Sequence, residues 1–256
     1  MSDRLLKSIF NIALENGDGN VGNFAGSAFL LNYGGNNYVV TAWHCIRNII
    51  KYRYQRYGII TDNNITFEMI NEVIEKNISF GFTSSGCLRI PINSVVNILE
   101  KNTGNRADIL VLCVDQNEIA SLKNTNLSEL LPLQLSKNKL IKGNQYKIAG
   151  FPDCRRKNNK LVLESKYLTL SGIEQQNVDT FTLEQGLLSF EQGDSHATFN
   201  GYSGGVVLDD DGNVLGMIIA APDQERVVRF ITSNILQQIF YQYGSKYYLT
   251  TNEPNN

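Results

Sequence analysis

The segment Gly201-Tyr202-Ser203-Gly204-Gly205, between a polar loop and the strand-like run Val206 to Leu208, constrains this chain more than any other. Glycine has no Cβ and tolerates positive φ, so a serine bracketed by glycines sits where backbone can come close to a reacting carbonyl. Such a serine needs a base. The chain has only two histidines, His44 and His196, and both precede Ser203.

That order excludes the nucleophile elbow of α/β-hydrolases, in which the histidine follows the serine. His44 lies in Thr41-Ala42-Trp43-His44-Cys45, directly after the apolar run Tyr38-Val39-Val40 and downstream of Gly26-Ser27-Ala28-Phe29-Leu30-Leu31. Two strands joined by a Gly34-Gly35-Asn36-Asn37 turn are expected to deliver the histidine at a strand end. A third strand opens on an acid, in Ala107-Asp108-Ile109-Leu110-Val111-Leu112. A carboxylate at the mouth of a buried strand is costly to desolvate alone, so Asp108 should be hydrogen-bonded to something specific.

With the order His44, Asp108, Ser203, the chain resembles the trypsin-like (chymotrypsin-fold) serine peptidases over about residues 24–235. The pieces that carry the resemblance are Gly26-Ser27-Ala28-Phe29, Thr41-Ala42-Trp43-His44-Cys45, Asp108-Ile109-Leu110-Val111-Leu112 and Gly201-Tyr202-Ser203-Gly204-Gly205. The resemblance implies an all-β fold of two six-stranded antiparallel barrels with the active site between them. It implies a serine endopeptidase acting through an acyl-enzyme, with Ser203 as nucleophile, His44 as base and Asp108 fixing the imidazole tautomer. The backbone N–H groups of Gly201 and Ser203 would form the oxyanion hole. The specificity pocket would be walled by His196, Ala197 and Thr198 ahead of the nucleophile and by Ile219, Ala220 and Ala221 after it. Neither wall carries a carboxylate, so small or medium uncharged residues are expected before the scissile bond, unless His196 turns in to read an acidic or amide side chain. The alternatives are a binding module of the same fold that keeps these residues without turnover, and an esterase using the same site.

One departure bears on activation. Trypsin has an aspartate before the nucleophile, which pairs with a new N-terminus. This chain has Tyr202, so activation by clipping is not expected, and the nearer resemblance is to bacterial HtrA-like protease domains. A PDZ module of the HtrA kind is not expected after residue 235.

Composition supports a globular domain: 256 residues, 42% hydrophobic and 19% charged, with a net charge of -2 that offers no electrostatic reason for nucleic-acid binding. No apolar run approaches the roughly 20 residues of a membrane span. The expected partner is a protein or peptide substrate, with room for an activating partner. The four cysteines, Cys45, Cys87, Cys113 and Cys154, contain no C-x-x-C pair. In trypsin the cysteine after the histidine is disulfide-bonded to the preceding strand, and here that strand has no cysteine. Cys45 is therefore expected as a free buried thiol, in keeping with a cytoplasmic protein. Asp209-Asp210-Asp211-Gly212-Asn213 lacks the glutamate of a calcium loop and reads as a hairpin turn. No metal or other cofactor is expected.

Residues 1–20 are expected as an amphipathic helix, from the helical spacing of Leu5, Leu6, Ile9, Phe10 and Ala13. The first barrel, with an insertion and a linker, should occupy 21–138, its strands near 25–31, 37–41, 78–83, 87–92 and 108–114. Helices are expected over 66–76 and 117–123. Within the insertion, Arg47, Lys51, Arg53 and Arg56 alternate with Tyr52, Tyr54 and Tyr57. That pattern suits a solvated face with packed aromatics better than a nucleic-acid or peptide surface. The second barrel and a C-terminal helix should fill 139–256. It should start with a strand over 146–152 that ends in a Gly-Phe-Pro turn, continue through strands at 167–171, 180–183, 206–208 and 214–219, and close with a helix over 233–243.

Overall fold

A computed structural model describes residues 8–15, 21–82, 86–88, 92–97, 107–114, 131–157, 160–176, 185–189, 201–220 and 227–243. The fold is mostly antiparallel β. In the N-terminal half, β1 (Ile9–Glu15), β2 (Val21–Tyr33), β3 (Asn36–Thr41), β4 (Ile78–Phe82), β5 (Gly86–Leu88), β6 (Ile92–Val96), β7 (Leu110–Val114) and β8 (Leu133–Gln134) form an eight-stranded sheet. Its order is β5-β4-β1-β2-β3-β7-β6, with β8 adding in parallel to β2. In the C-terminal half, β9 (Gln145–Lys157), β10 (Lys160–Gln176), β11 (Gln185–Ser189), β12 (Val206–Leu208), β13 (Val214–Ala220) and β14 (Val227–Thr232) close into a six-stranded barrel. The helices are α1 (Trp43–Tyr54), α2 (Phe67–Asn77) and α3 (Ser233–Tyr243).

The expected closed six-stranded barrel is present in the C-terminal half, whereas the N-terminal half is a sheet of eight strands. Part of the difference is the N-terminus. Residues 9–15 are not helical as expected but form β1, hydrogen-bonded between β2 and β4. Ile9, Phe10, Asn11, Ile12 and Ala13 are all at most 1% exposed, so both faces of the strand are covered. A strand buried on both faces carries apolar residues without alternation, and a run like that mimics helical spacing. The single strand expected over 87–92 is instead two, β5 and β6, at opposite ends of the sheet.

The β2–β3 hairpin forms as expected on Gly34 and Gly35, whose φ values of 59° and 84° give the doubly positive geometry of a two-residue turn. In the second barrel, the turn expected at Gly150-Phe151-Pro152 is absent, and β9 runs on to Lys157. Gly150 pairs with Lys166 and Asp153 with Glu164, so Phe151 and Pro152 together oppose one residue of β10. That is a β-bulge, one of the few strand positions where proline, with no N–H to give, is accepted. The expected strand at 180–183 and helix at 117–123 lie outside the described residues.

One apolar core runs through both halves. It joins Phe10, Phe29, Val40, Ile46 and Leu112 to Ala149, Phe151, Val206, Met217 and Ile231. α3 extends it, since Phe240 stacks on Tyr33 with ring centroids 5.3 Å apart and lies 4.5 Å from the Tyr38 ring. A second core fills the closed barrel, with Tyr146, Ile148, Leu188, Tyr202, Val207, Leu215, Ile218, Val228 and Phe230.

The insertion after His44 folds as α1, two 3-10 turns and α2. Its cations are bound within it: Arg47 and Lys51 bridge to Asp62 at 3.1 and 2.6 Å, and Arg53 to Glu72 at 3.1 Å. The Arg56 guanidinium lies 4.8 Å over the Tyr57 ring. Tyr54 OH donates to Glu72, and that bond together with Lys76 and Arg53 holds the Glu72 carboxyl at about 2.

Candidate active site

β3 ends at Thr41, and His44 is the second residue of α1. The residue before the helix, Ala42, has no side chain that can cap it. Asp108 does that work from the start of the strand that becomes β7. Its Oδ1 accepts the backbone N–H of His44 at 2.8 Å, satisfying one of the helix's open donors. The carboxylate sits where the helix dipole favours negative charge. The same carboxylate faces the His44 ring, with Nδ1 2.8 Å from Oδ2 and 3.0 Å from Oδ1. This is the specific partner that Asp108 required.

A neutral imidazole in this pose keeps its proton on Nδ1, donated to the carboxylate, and leaves Nε2 as the basic nitrogen. Burial disfavours the charged ring, but the Asp108 hydrogen bond and the adjacent Cys45 outweigh it and raise His44 from 6.5 to about 10. Both partners keep partial access to solvent, with side-chain exposures of 29% and 34%.

Ser203 is carried on a loop that is tied down on every side. Gly205 N–H donates to Tyr202 O at 2.6 Å, Gly204 N–H to Ile218 O at 2.8 Å, and Ile218 N–H to Gly205 O at 2.9 Å. Glycine is obligatory at 204: φ is 81°, and a Cβ there would lie 2.0 Å from Ser27 O and 2.5 Å from Thr41 Oγ1. That close packing sets the loop against the Thr41–Cys45 segment. The Ser203 carbonyl accepts Ser27 N–H at 2.8 Å and faces Cys45 Sγ at 3.7 Å. The loop that carries Ser203 and the helix turn that carries His44 are thus adjacent. Among the described residues, no hydrogen bond links the His44 ring to Ser203 Oγ.

The amides next to the serine are oriented by these same bonds. In a trans peptide N–H and C=O point in opposite directions. Because Tyr202 O faces Gly205, the Ser203 N–H faces away from it. Among the described residues, neither Gly201 N–H nor Ser203 N–H has an acceptor. Gly201 has φ of 92°, and its carbonyl accepts Ser27 Oγ–H at 2.7 Å. Ser27 Oγ in turn accepts Phe151 N–H at 2.9 Å, which ties β2, β9 and the serine loop together.

The pattern of residues and their order now meet in one fold, and the trypsin-like peptidase domain family matches residues 26–217. The chain belongs to that family. Structures similar to this trypsin-like domain include the active form of the Rv3671c protease from M. tuberculosis, with a TM-score of 0.52 and 15% identity over 98% of this chain and 85% of that one. Human heparin binding protein is similar at a TM-score of 0.56 and 14% identity, over 100% and 97% of the two chains. So is a scabies mite inactivated protease paralogue, at 0.58 and 12%, over 96% and 98%. No curated protein sequence matches the chain.

Of the expected pocket residues, Ile219 and Ala220 lie half-buried at the end of β13. His196, Ala197, Thr198 and Ala221 lie outside the described residues. Cys45 is a free, buried thiol, as expected, and Cys113 is also free. A Cβ on Gly26 would lie 3.6 Å from Cys45 Cβ, a disulfide-like spacing. Gly26 thus stands where a cystine partner for Cys45 would sit. In the sequence Ser27 belongs to the Gly26-Ser27-Ala28-Phe29 motif, which does not reveal what its hydroxyl binds. Its hydroxyl role comes from pairing between distant strands and leaves no local signal.

Proposed function

We propose that this trypsin-like domain is a serine endopeptidase that cleaves peptide bonds through an acyl-enzyme on Ser203. His44 Nε2 takes the Ser203 Oγ proton as the oxygen attacks the carbonyl carbon. Asp108 holds the imidazolium through Nδ1 while the tetrahedral intermediate forms. Its oxyanion is met by the N–H groups of Gly201 and Ser203, each worth about 3–4 kcal/mol of barrier. His44 then gives its proton to the leaving amine, and a water repeats the sequence to release the acid. The observation that carries this reading is the bidentate Asp108–His44 Nδ1 pairing beside a serine loop whose two amides have no acceptor among the described residues.

The second reading, a binding module of the same fold, is favoured by the similarity to a heparin binding protein and to an inactivated protease paralogue. Against it stands the presence of His44, Asp108 and Ser203 together. A fluorophosphonate probe separates the two: an endopeptidase is labelled at Ser203, and Ser203→Ala abolishes both labelling and cleavage in a peptide-library digest. An unlabelled, folded protein would sink the hydrolase reading. Small-ester turnover far above any peptide cleavage would make it an esterase. The same proposal includes a cytosolic setting, supported by the free thiols of Cys45 and Cys113.

A further inference from the structure

Asp108 sits in a distinctive piece of backbone. Ile109 N–H donates to Ala107 O at 2.8 Å, two residues back, so Asp108 is the middle residue of a γ-turn. The carbonyls on either side of the acid share one donor. Asn97 Nδ2 lies 3.3 Å from Ala107 O and 2.6 Å from Ile109 O. Asn97 is 5% exposed and directly follows β6, whose Val96 pairs with Val111 of β7. The neighbouring strand therefore delivers an amide, with its two N–H donors, to the root of the turn that projects the acid.

We propose that Asn97 is a positioning residue: by gripping the two carbonyls that flank Asp108, its amide fixes the carboxylate in its bidentate pose on His44. A γ-turn closed by a single bent hydrogen bond leaves the flanking peptide planes free to rotate, and any rotation swings the Asp108 side chain. The contacts at stake are three, all within 2.8–3.0 Å, a range in which hydrogen bonds tolerate little displacement. Asn97 is uncharged, and the ionisable groups acting on His44 are Asp108 and Cys45. Replacing Asn97 by alanine thus removes no charge from the site. Whatever it does to the imidazole reports the placement of Asp108.

The kinetic half of the proposal rests on the hydrolase reading above, but the titration half does not. The experiment follows the imidazole signals of the two histidines by NMR across pH, with His44 identified by the signal lost in His44→Gln. In Asn97→Ala the His44 pKa falls toward the ordinary 6.5. Its kcat drops about 10- to 100-fold at unchanged KM, the scale of a small misplacement of a catalytic group. Asn97→Ser, which keeps one donor, recovers part of both. Val95→Ala, a buried truncation on the same strand, lowers Tm and leaves the His44 pKa where it was. An Asn97→Ala protein that lost only Tm, with His44 and kcat at wild-type values, would overturn the proposal. If Asn97→Ala does not fold, Asn97→Ser is judged by the same two readouts. If wild type neither cleaves nor takes the probe, the hydrolase reading falls and the titration alone decides on Asn97.

Discussion

At the scale of single residues, the pairing of His44 should tie stability and the proposed hydrolysis to pH in opposite directions. A histidine raised on folding from 6.5 to about 10 adds stability that is fully present below 6.5 and is lost as pH climbs through the folded value. A base must be neutral to act, so hydrolysis should rise across that same window. We expect kcat/KM to increase and Tm to decrease between pH 7 and pH 10, and both trends to shrink in Asp108→Asn. A bell centred near pH 6.5 would contradict this. Asp108→Asn should fold, since its side-chain oxygen can still accept the His44 N–H, yet lose about 10⁴-fold in turnover because the imidazole no longer holds the right tautomer. Ser203→Ala and His44→Ala should abolish turnover and leave far-UV circular dichroism near wild type, with Tm at pH 7 near wild type in Ser203→Ala and lower in His44→Ala, which loses the Asp108 pairing. The three residues were legible in the sequence because each sits in a short local motif. Asn97 was not, because a side chain gripping carbonyls 10 and 12 positions away leaves no pattern along the chain.

At the scale of elements, the loop before β12 is anchored from behind by Tyr202, which is 1% exposed within the closed barrel's own core. Where trypsin needs an ion pair, this loop has an apolar plug. Tyr202→Phe should keep the plug and the probe reactivity, whereas Tyr202→Ala should lose about 3–5 kcal/mol in a denaturant titration. Ser27→Ala leaves Phe151 N–H and Gly201 O without their shared partner, at a cost of about 1–3 kcal/mol, and should slow labelling of Ser203 without changing the folded topology. The end of β13 would bear on specificity: if Ile219 and Ala220 wall the pocket, as the family resemblance implies, cleavage after small or medium uncharged residues is expected. Dominant cleavage after Lys or Arg would refute it, because neither expected wall carries a carboxylate in the sequence. Two elements depart from their sequence pattern for one reason. β1 and the bulged β9 take their form from neighbours on both sides, and hydrophobic spacing or a proline alone does not record what those neighbours are.

At the scale of the whole molecule, β1 lies inside the sheet rather than at its edge, so residues 9–15 are part of the folded core. Burial of Ile9, Phe10 and Ile12 contributes about 5–9 kcal/mol, comparable with the entire stability of a typical domain. Because Tyr202 is packed in the closed barrel and cannot pair with a new N-terminal ammonium, protein beginning at Met1 should take the fluorophosphonate probe without processing. Truncation past Glu15 should give unfolded protein, and a gain of activity on such truncation would refute this. The other end of the chain has the matching property. α3 leaves the second barrel and returns to the first sheet, seating Phe240 against Tyr33 and Tyr38. A ribosome makes this helix after every strand it packs on, so Phe240 is the last aromatic contact to close, on a core that already runs through both halves.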